Sequence, residues 1–138
     1  MPQLSDFEGN WVLTRQILHS DGNKARFDGH ACFAPEGVGL HYRESGELVM
    51  PGGQSFHAER SYFWRAEGGQ IAVAFEDGRP FHSFDPLSPA ASHWCDPDDY
   101  RVSYDFDAWP KWRAIWRVQG PRKDYEMISD YVRSAGQP

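Results

Sequence analysis

Apolar and polar residues alternate with a period of two along most of this chain, the pattern of half-buried β-strands. Over residues 9–18, Trp11, Leu13 and Ile17 share one face. Over 26–33 that face carries Phe27, Gly29, Ala31 and Phe33; Gly29 and Ala31 are small, as expected where a sheet bends or a second backbone comes close. Residues 38–44 read as a third strand with Val38, Leu40, Tyr42 and Glu44 in phase, Ser45-Gly46 as a hairpin turn, and 47–50 as the strand returning from it. The longest candidate, 54–66, puts Phe56, Ala58, Arg60, Tyr62 and Trp64 on one face. Residues 71–75 and 79–84 flank an Asp77-Gly78 turn, and 92–95 form a short strand. The segments 100–106, 112–118 and 124–133 complete the series, with Tyr100, Tyr104, Trp116 and Tyr125 in phase with their apolar neighbours.

Gly, Pro, Asp or Asn turns punctuate these strands, and no segment holds an i, i+3, i+4, i+7 stripe for three turns. Residues 2–8 suit a short helical turn that closes one end of the domain. The expected fold is all-β: an up-and-down antiparallel barrel of about 8–10 strands, since closure removes the exposed edges of a long meander. A Greek-key sandwich is the alternative, disfavoured by the short connections. Residues 1–138 are expected to form one domain, long enough to bury roughly two-thirds of the unfolded surface.

Composition sharpens this picture in two ways. Aromatic residues make up 15% of the chain, with six Trp, six Tyr and nine Phe, which suits a β-rich core or a lined cavity. The net charge of −6 and the scattered basic residues argue against a nucleic-acid partner. No long apolar run and no signal peptide are visible, so no membrane partner and a cytoplasmic location are expected, with Cys32 and Cys95 as thiols. The oligomeric state stays open, a dimer included.

Gly9-Asn10-Trp11 resembles the Gly-x-Trp motif of the lipocalins, which implies that Trp11 plugs one barrel end and that a late arginine, Arg133 or Arg117, packs over it. The strand count also resembles fatty-acid-binding proteins and nitrobindins of the same calycin group. Taken with residues 42–46, 77–82, 93–96 and 120–125, nearly the whole chain resembles a family of short bacterial proteins of unknown function. That resemblance implies a calycin-like barrel and no assigned chemistry. Tyr131-Val132-Arg133 reverses the Arg-x-Tyr order that fatty-acid-binding proteins use for a carboxylate, and no haem-ligand motif of nitrobindin is matched, so neither ligand carries over.

The densest chemistry lies in residues 75–100. His82, His93 and Cys95 are of ligand types that suit a soft divalent metal, with Asp96, Asp98 or Asp99 as a fourth ligand. The bland alternative is satisfied histidines and a packed thiol, and no metal site is assigned. His41, His57, His82 and His93 are the candidate haem ligands, and the cofactor is left unassigned. His82 with Asp77 or Asp85, or His93 with Asp96 or Asp99, would make an acid–base pair, and Cys95 beside His93 a nucleophile–base pair. The polar residues in phase with the core are more telling. Arg60 is expected either to pair with Glu44 on the adjoining strand or to bind a ligand's anionic group.

The main expectation is therefore a barrel whose interior binds a small, partly apolar molecule with a polar or anionic end. Its wall would comprise Tyr42, Glu44, Arg60, Tyr62, Trp64, His82, His93, Tyr100, Tyr104, Trp116 and Tyr125. Two alternatives stand beside it: a barrel enzyme using His82, His93 and Cys95, with a metal's assistance in one version, and a filled barrel acting as a protein-interaction module.

Overall fold

The alternating pattern folds into ten strands: β1 (Gly9–His19), β2 (Lys24–Glu36), β3 (Gly39–Val49), β4 (Ser55–Glu67), β5 (Gln70–Phe75), β6 (Pro80–Phe84), β7 (Ala90–Cys95), β8 (Asp98–Asp105), β9 (Trp112–Gln119) and β10 (Asp124–Arg133). One 3-10 turn, Leu4–Phe7, precedes them. The structure is a computed structural model and describes residues 2–135; Met1 and residues 136–138 of the expected domain span lie outside the described residues.

The strands run in one antiparallel sheet in the order β6-β5-β4-β3-β2-β1-β10-β9-β8-β7. The β1–β10 pairing, from Trp11↔Arg133 to His19↔Tyr125, joins the two halves of the meander. The sheet thus curls into a nearly closed up-and-down barrel whose seam lies between β6 and β7. At that seam the described ladders stop, and a single bridge, Asp85↔Ser88, spans the connecting loop.

Alternation decides what faces in. Trp11, Leu13, Phe27, Phe33, Tyr42, Trp64, Tyr104, Trp112 and Tyr131 are all buried. The 3-10 turn drives Phe7 into one end of the barrel, where its ring meets Trp109 at 5.0 Å, Trp112 at 5.2 Å and Trp64 at 5.4 Å. Trp11 donates its indole N–H to the Phe7 carbonyl at 2.9 Å. Arg133, not Arg117, covers Trp11: its guanidinium lies 3.9 Å from the ring centroid and donates to the carbonyls of Glu8 and Asp6. This end is closed by aromatics packed edge-on and tilted, and the free space lies toward the other.

One strand differs from the expectation. Ser45-Gly46 is not a turn; β3 runs unbroken through it, and Val38, expected inside, is 88% exposed in the turn before β3. The true reversal is at residues 50–54, where the Met50 and Gln54 backbones close the loop. Gly46 is there for space. It faces Gly29 in register, and a Cβ at Gly46 would stand 2.3 Å from the Asp28 carbonyl oxygen and 2.6 Å from the Gly29 Cα. Two backbones approach too closely at this point for any side chain. Gly46→Ala is therefore expected to lose roughly 1–2 kcal/mol by forcing the backbones apart, read as a lower midpoint in urea unfolding.

Candidate functional site

A cavity of about 230 Å3 lies inside the barrel, between the aromatic plug and the opposite mouth. It is smaller than the ~300–1,000 Å3 of drug-sized sites, yet has room for many times the ~10–15 Å3 that one water needs. Tyr42, Glu44, Arg60, Tyr62 and Trp64 reach it from β3 and β4, and His82 from β6. Tyr100 and Tyr104 of β8, Trp116 of β9 and Tyr125 of β10 complete the expected residues in its wall. His93 is not in the wall; its ring packs edge-on to Phe81 at 5.2 Å.

Arg15, unassigned in the sequence, proves central. It alternates in phase between Leu13 and Ile17, and so points into the barrel. Its Nη1 and Nη2 donate to the two Glu44 carboxylate oxygens at 2.7 and 2.9 Å, and its Nε donates to Ser129 Oγ at 2.7 Å. The two residues sit on β1 and β3, with β2 between them. Gly29 and Ala31 put no bulk on the inner face of β2, which lets the guanidinium reach across. The Tyr42 hydroxyl donates to Glu44 at 2.7 Å and accepts from Tyr131 at 2.8 Å.

The expected Arg60–Glu44 pair is thus corrected. The two are register partners, but Glu44, 3% exposed, is held by Arg15. Burial pushes the Glu44 carboxyl up, but the Arg15 hydrogen bonds and charge outweigh it and hold the group below the usual carboxylate range. Burial likewise pushes the hydroxyls of Tyr42 and Tyr131 up, so both stay protonated.

On the opposite wall a register shift between Val73 and Ala74 sets Phe81 as an extra residue in β6. Consecutive Phe81 and His82 therefore both line the cavity, which strict alternation forbids. Phe81 lies flat against Trp116, with centroids 5.1 Å apart and planes at 9°, and so reaches across the seam. His82 Nε2 shares a 2.8 Å hydrogen bond with the Tyr104 hydroxyl. Burial, with a smaller effect from His93, pushes the imidazole down to about 3, so His82 is neutral.

Among the described residues the expected acid–base partners of His82, and Asp99, are engaged elsewhere or replaced, and no metal-ligand cluster is present. The partner of His82 is Tyr104, not Asp77 or Asp85; Asp77 pairs with Arg79. Asp99 pairs with Arg101, and Cys95 is exposed. Among the described residues no three His, Cys, Asp or Glu side chains stand together as metal ligands. Of the other histidines considered for haem, His57 is exposed and bonded to Glu59, and His41 alternates away from the inward Tyr42.

At the mouth the charge is positive. Lys123 donates to the Tyr100 hydroxyl at 3.1 Å and pairs with Asp98 at 3.0 Å; these contacts hold its ammonium above the ordinary lysine range. Arg60 is exposed on the cavity side of β4, and among the described residues it makes no hydrogen bond or ion pair.

Comparison with known proteins gives a family and a fold. The profile of a family of unknown function, DUF6314, matches residues 7–133. No protein of curated function matches the sequence. Among solved structures, the chain is similar to the S-type phycobiliprotein lyase CPES from Guillardia theta, with a TM-score of 0.65 at 9% identity over 97% of this chain and 92% of the lyase. It is also similar to a de novo designed fluorescence-activating β-barrel, with a TM-score of 0.49 at 13% identity over 97% of this chain and all of the designed one. At these identities the similarity to the lyase speaks for the barrel fold alone. No helix among the described residues is long and apolar enough to cross a membrane.

Proposed function

The chain belongs to the DUF6314 family, and we propose that this member binds a small aromatic or otherwise apolar anion inside its barrel. One observation carries the reading: Arg60, which among the described residues makes no hydrogen bond or ion pair, stands at the mouth of an aromatic-walled cavity in a protein whose net charge is −6. Among the described residues the cavity wall carries Arg15, Arg60 and Lys123 against one carboxylate, Glu44. Arg15 is neutralised by Glu44, and Lys123 is shared with Asp98. Arg60 is left to take the ligand's anionic group at the mouth, while Tyr62, Phe81 and Trp116 cover the apolar body.

The size of the cavity supports a ligand smaller than a drug-sized molecule and speaks against a fully packed interaction barrel. A lyase of phycobiliproteins built on a similar barrel is compatible with a working interior. Among the described residues no three His, Cys, Asp or Glu side chains stand together to support the metal-assisted enzyme alternative.

Calorimetric titration with 4-isopropenylbenzoate and with its uncharged methyl ester tests the reading. The acid is expected to bind in a one-to-one ratio and more tightly than the ester, with an affinity that falls as salt rises. Equal binding of acid and ester, or no binding of the acid, would refute it.

A further inference from the structure

Arg15 is half of a buried ion pair, but its hydrogen-bonding capacity is not used up. A guanidinium carries five N–H donors in a fixed fork. Two go to Glu44 and one to Ser129. Even with a fourth committed to Tyr131, which lies within the guanidinium's reach, one remains. Its side chain is 13% exposed and lines the cavity. The surrounding acceptors are already engaged: both Glu44 oxygens accept from Arg15, Oε1 also from Tyr42, and Tyr42 accepts from Tyr131. Among the described residues that line the cavity, the other unpartnered polar atoms, His82 Nδ1 and Trp112 Nε1, are shielded from contact by their neighbours.

We propose that Arg15 is a specificity-determining residue that receives a neutral acceptor, such as a carbonyl oxygen, on the ligand's inner end. The ligand class is then an aromatic or aliphatic acid that carries a keto or similar carbonyl group remote from its anionic group. The inference rests on the anion-binding reading above. A neutral acceptor fits this position better than a second anion, because the Arg15 charge is already balanced by Glu44 at 2.7 Å. A buried anion there would face the Glu44 carboxylate with no cation of its own. The anionic group stays at the mouth with Arg60, and the carbonyl takes the donor that Glu44 and Ser129 hold in place.

The test compares two acids of the same shape, 4-acetylbenzoate and 4-isopropenylbenzoate, which differ in a carbonyl oxygen against a methylene. The wild-type protein is expected to bind the acetyl acid about tenfold more tightly, as a hydrogen bond from a charged donor allows. Arg15→Lys, which keeps the positive charge beside Glu44, is expected to shrink that preference to about twofold, because the planar fork is gone. A measurement on the wild-type protein stands independently of this variant's folding. The infrared stretch of the bound, 13C-labelled acetyl carbonyl should fall below its value in an apolar solvent.

Equal affinity of the two acids, a preference that survives Arg15→Lys, or an unshifted carbonyl stretch would overturn the inference and leave the anion-binding reading intact. Failure of both acids to bind would overturn the two together.

Discussion

Arg15→Ala is expected to remove about 3–5 kcal/mol of folding free energy, the usual cost of breaking a buried ion pair by deleting one partner. The loss comes less from the missing attraction than from what stays behind. Glu44, 3% exposed, would keep the Tyr42 hydroxyl as its hydrogen-bond donor and only the more distant charge of Arg60. Urea unfolding followed by tryptophan fluorescence measures the loss. Arg15→Met combined with Glu44→Leu removes both charges at similar volume and should cost far less than either deletion alone. If the double variant is as damaged as Arg15→Ala, the charges are not what the site depends on.

The same pair sets an acid limit. The folded-state value of Glu44 lies below its unfolded value of about 4.3. Its contribution is thus complete above about pH 4.3 and is lost as the pH falls through the lower, folded value. Stability of the wild-type protein should drop in that acid range more steeply than that of Glu44→Gln.

The second large effect is on binding. Arg60→Ala is expected to weaken binding of 4-isopropenylbenzoate about thirtyfold, or ~2 kcal/mol, within the range for hydrogen bonds to charged groups. Stability should hardly move, because Arg60 is exposed and among the described residues makes no ion pair. The methyl ester should bind both proteins alike. Calorimetry on the two proteins separates the outcomes: an unchanged affinity for the acid would take the anion away from Arg60.

Much of the architecture was legible in local pattern. Period-two alternation gave the strands their inward faces, and Gly, Pro and Asp turns marked most of their ends. Ser45-Gly46 misled because a glycine pair inside a strand carries the same local signal as a hairpin turn. What distinguishes them is Gly29 on the neighbouring strand, whose backbone needs the space. The inward phase of Tyr42, Tyr62, Trp64, Tyr104 and Trp116 could be read directly. Arg15 was in phase too, yet its partner is 29 residues away across an intervening strand, beyond the reach of any local rule. The extra residue at Phe81 was equally hidden. A bulge depends on how β5 and β6 pair, and alternation alone assigns Phe81 to the outer face. His93 illustrates the opposite failure: its placement beside Cys95 was chemically suggestive, but β7 borders the seam and holds it behind Phe81.

The central claim, that the barrel interior receives the ligand, is tested most directly by the indole N–H signals of the six tryptophans during titration with 4-isopropenylbenzoate. Trp64, Trp112 and Trp116 line the cavity, Trp11 and Trp109 belong to the plugged end, and Trp94 is 64% exposed on the outside of β7. Binding inside the barrel should give saturable shifts of the Trp64, Trp112 and Trp116 signals with one common dissociation constant, while Trp94 stays in place. A shift confined to Trp94, or no shift at saturating acid, would contradict it.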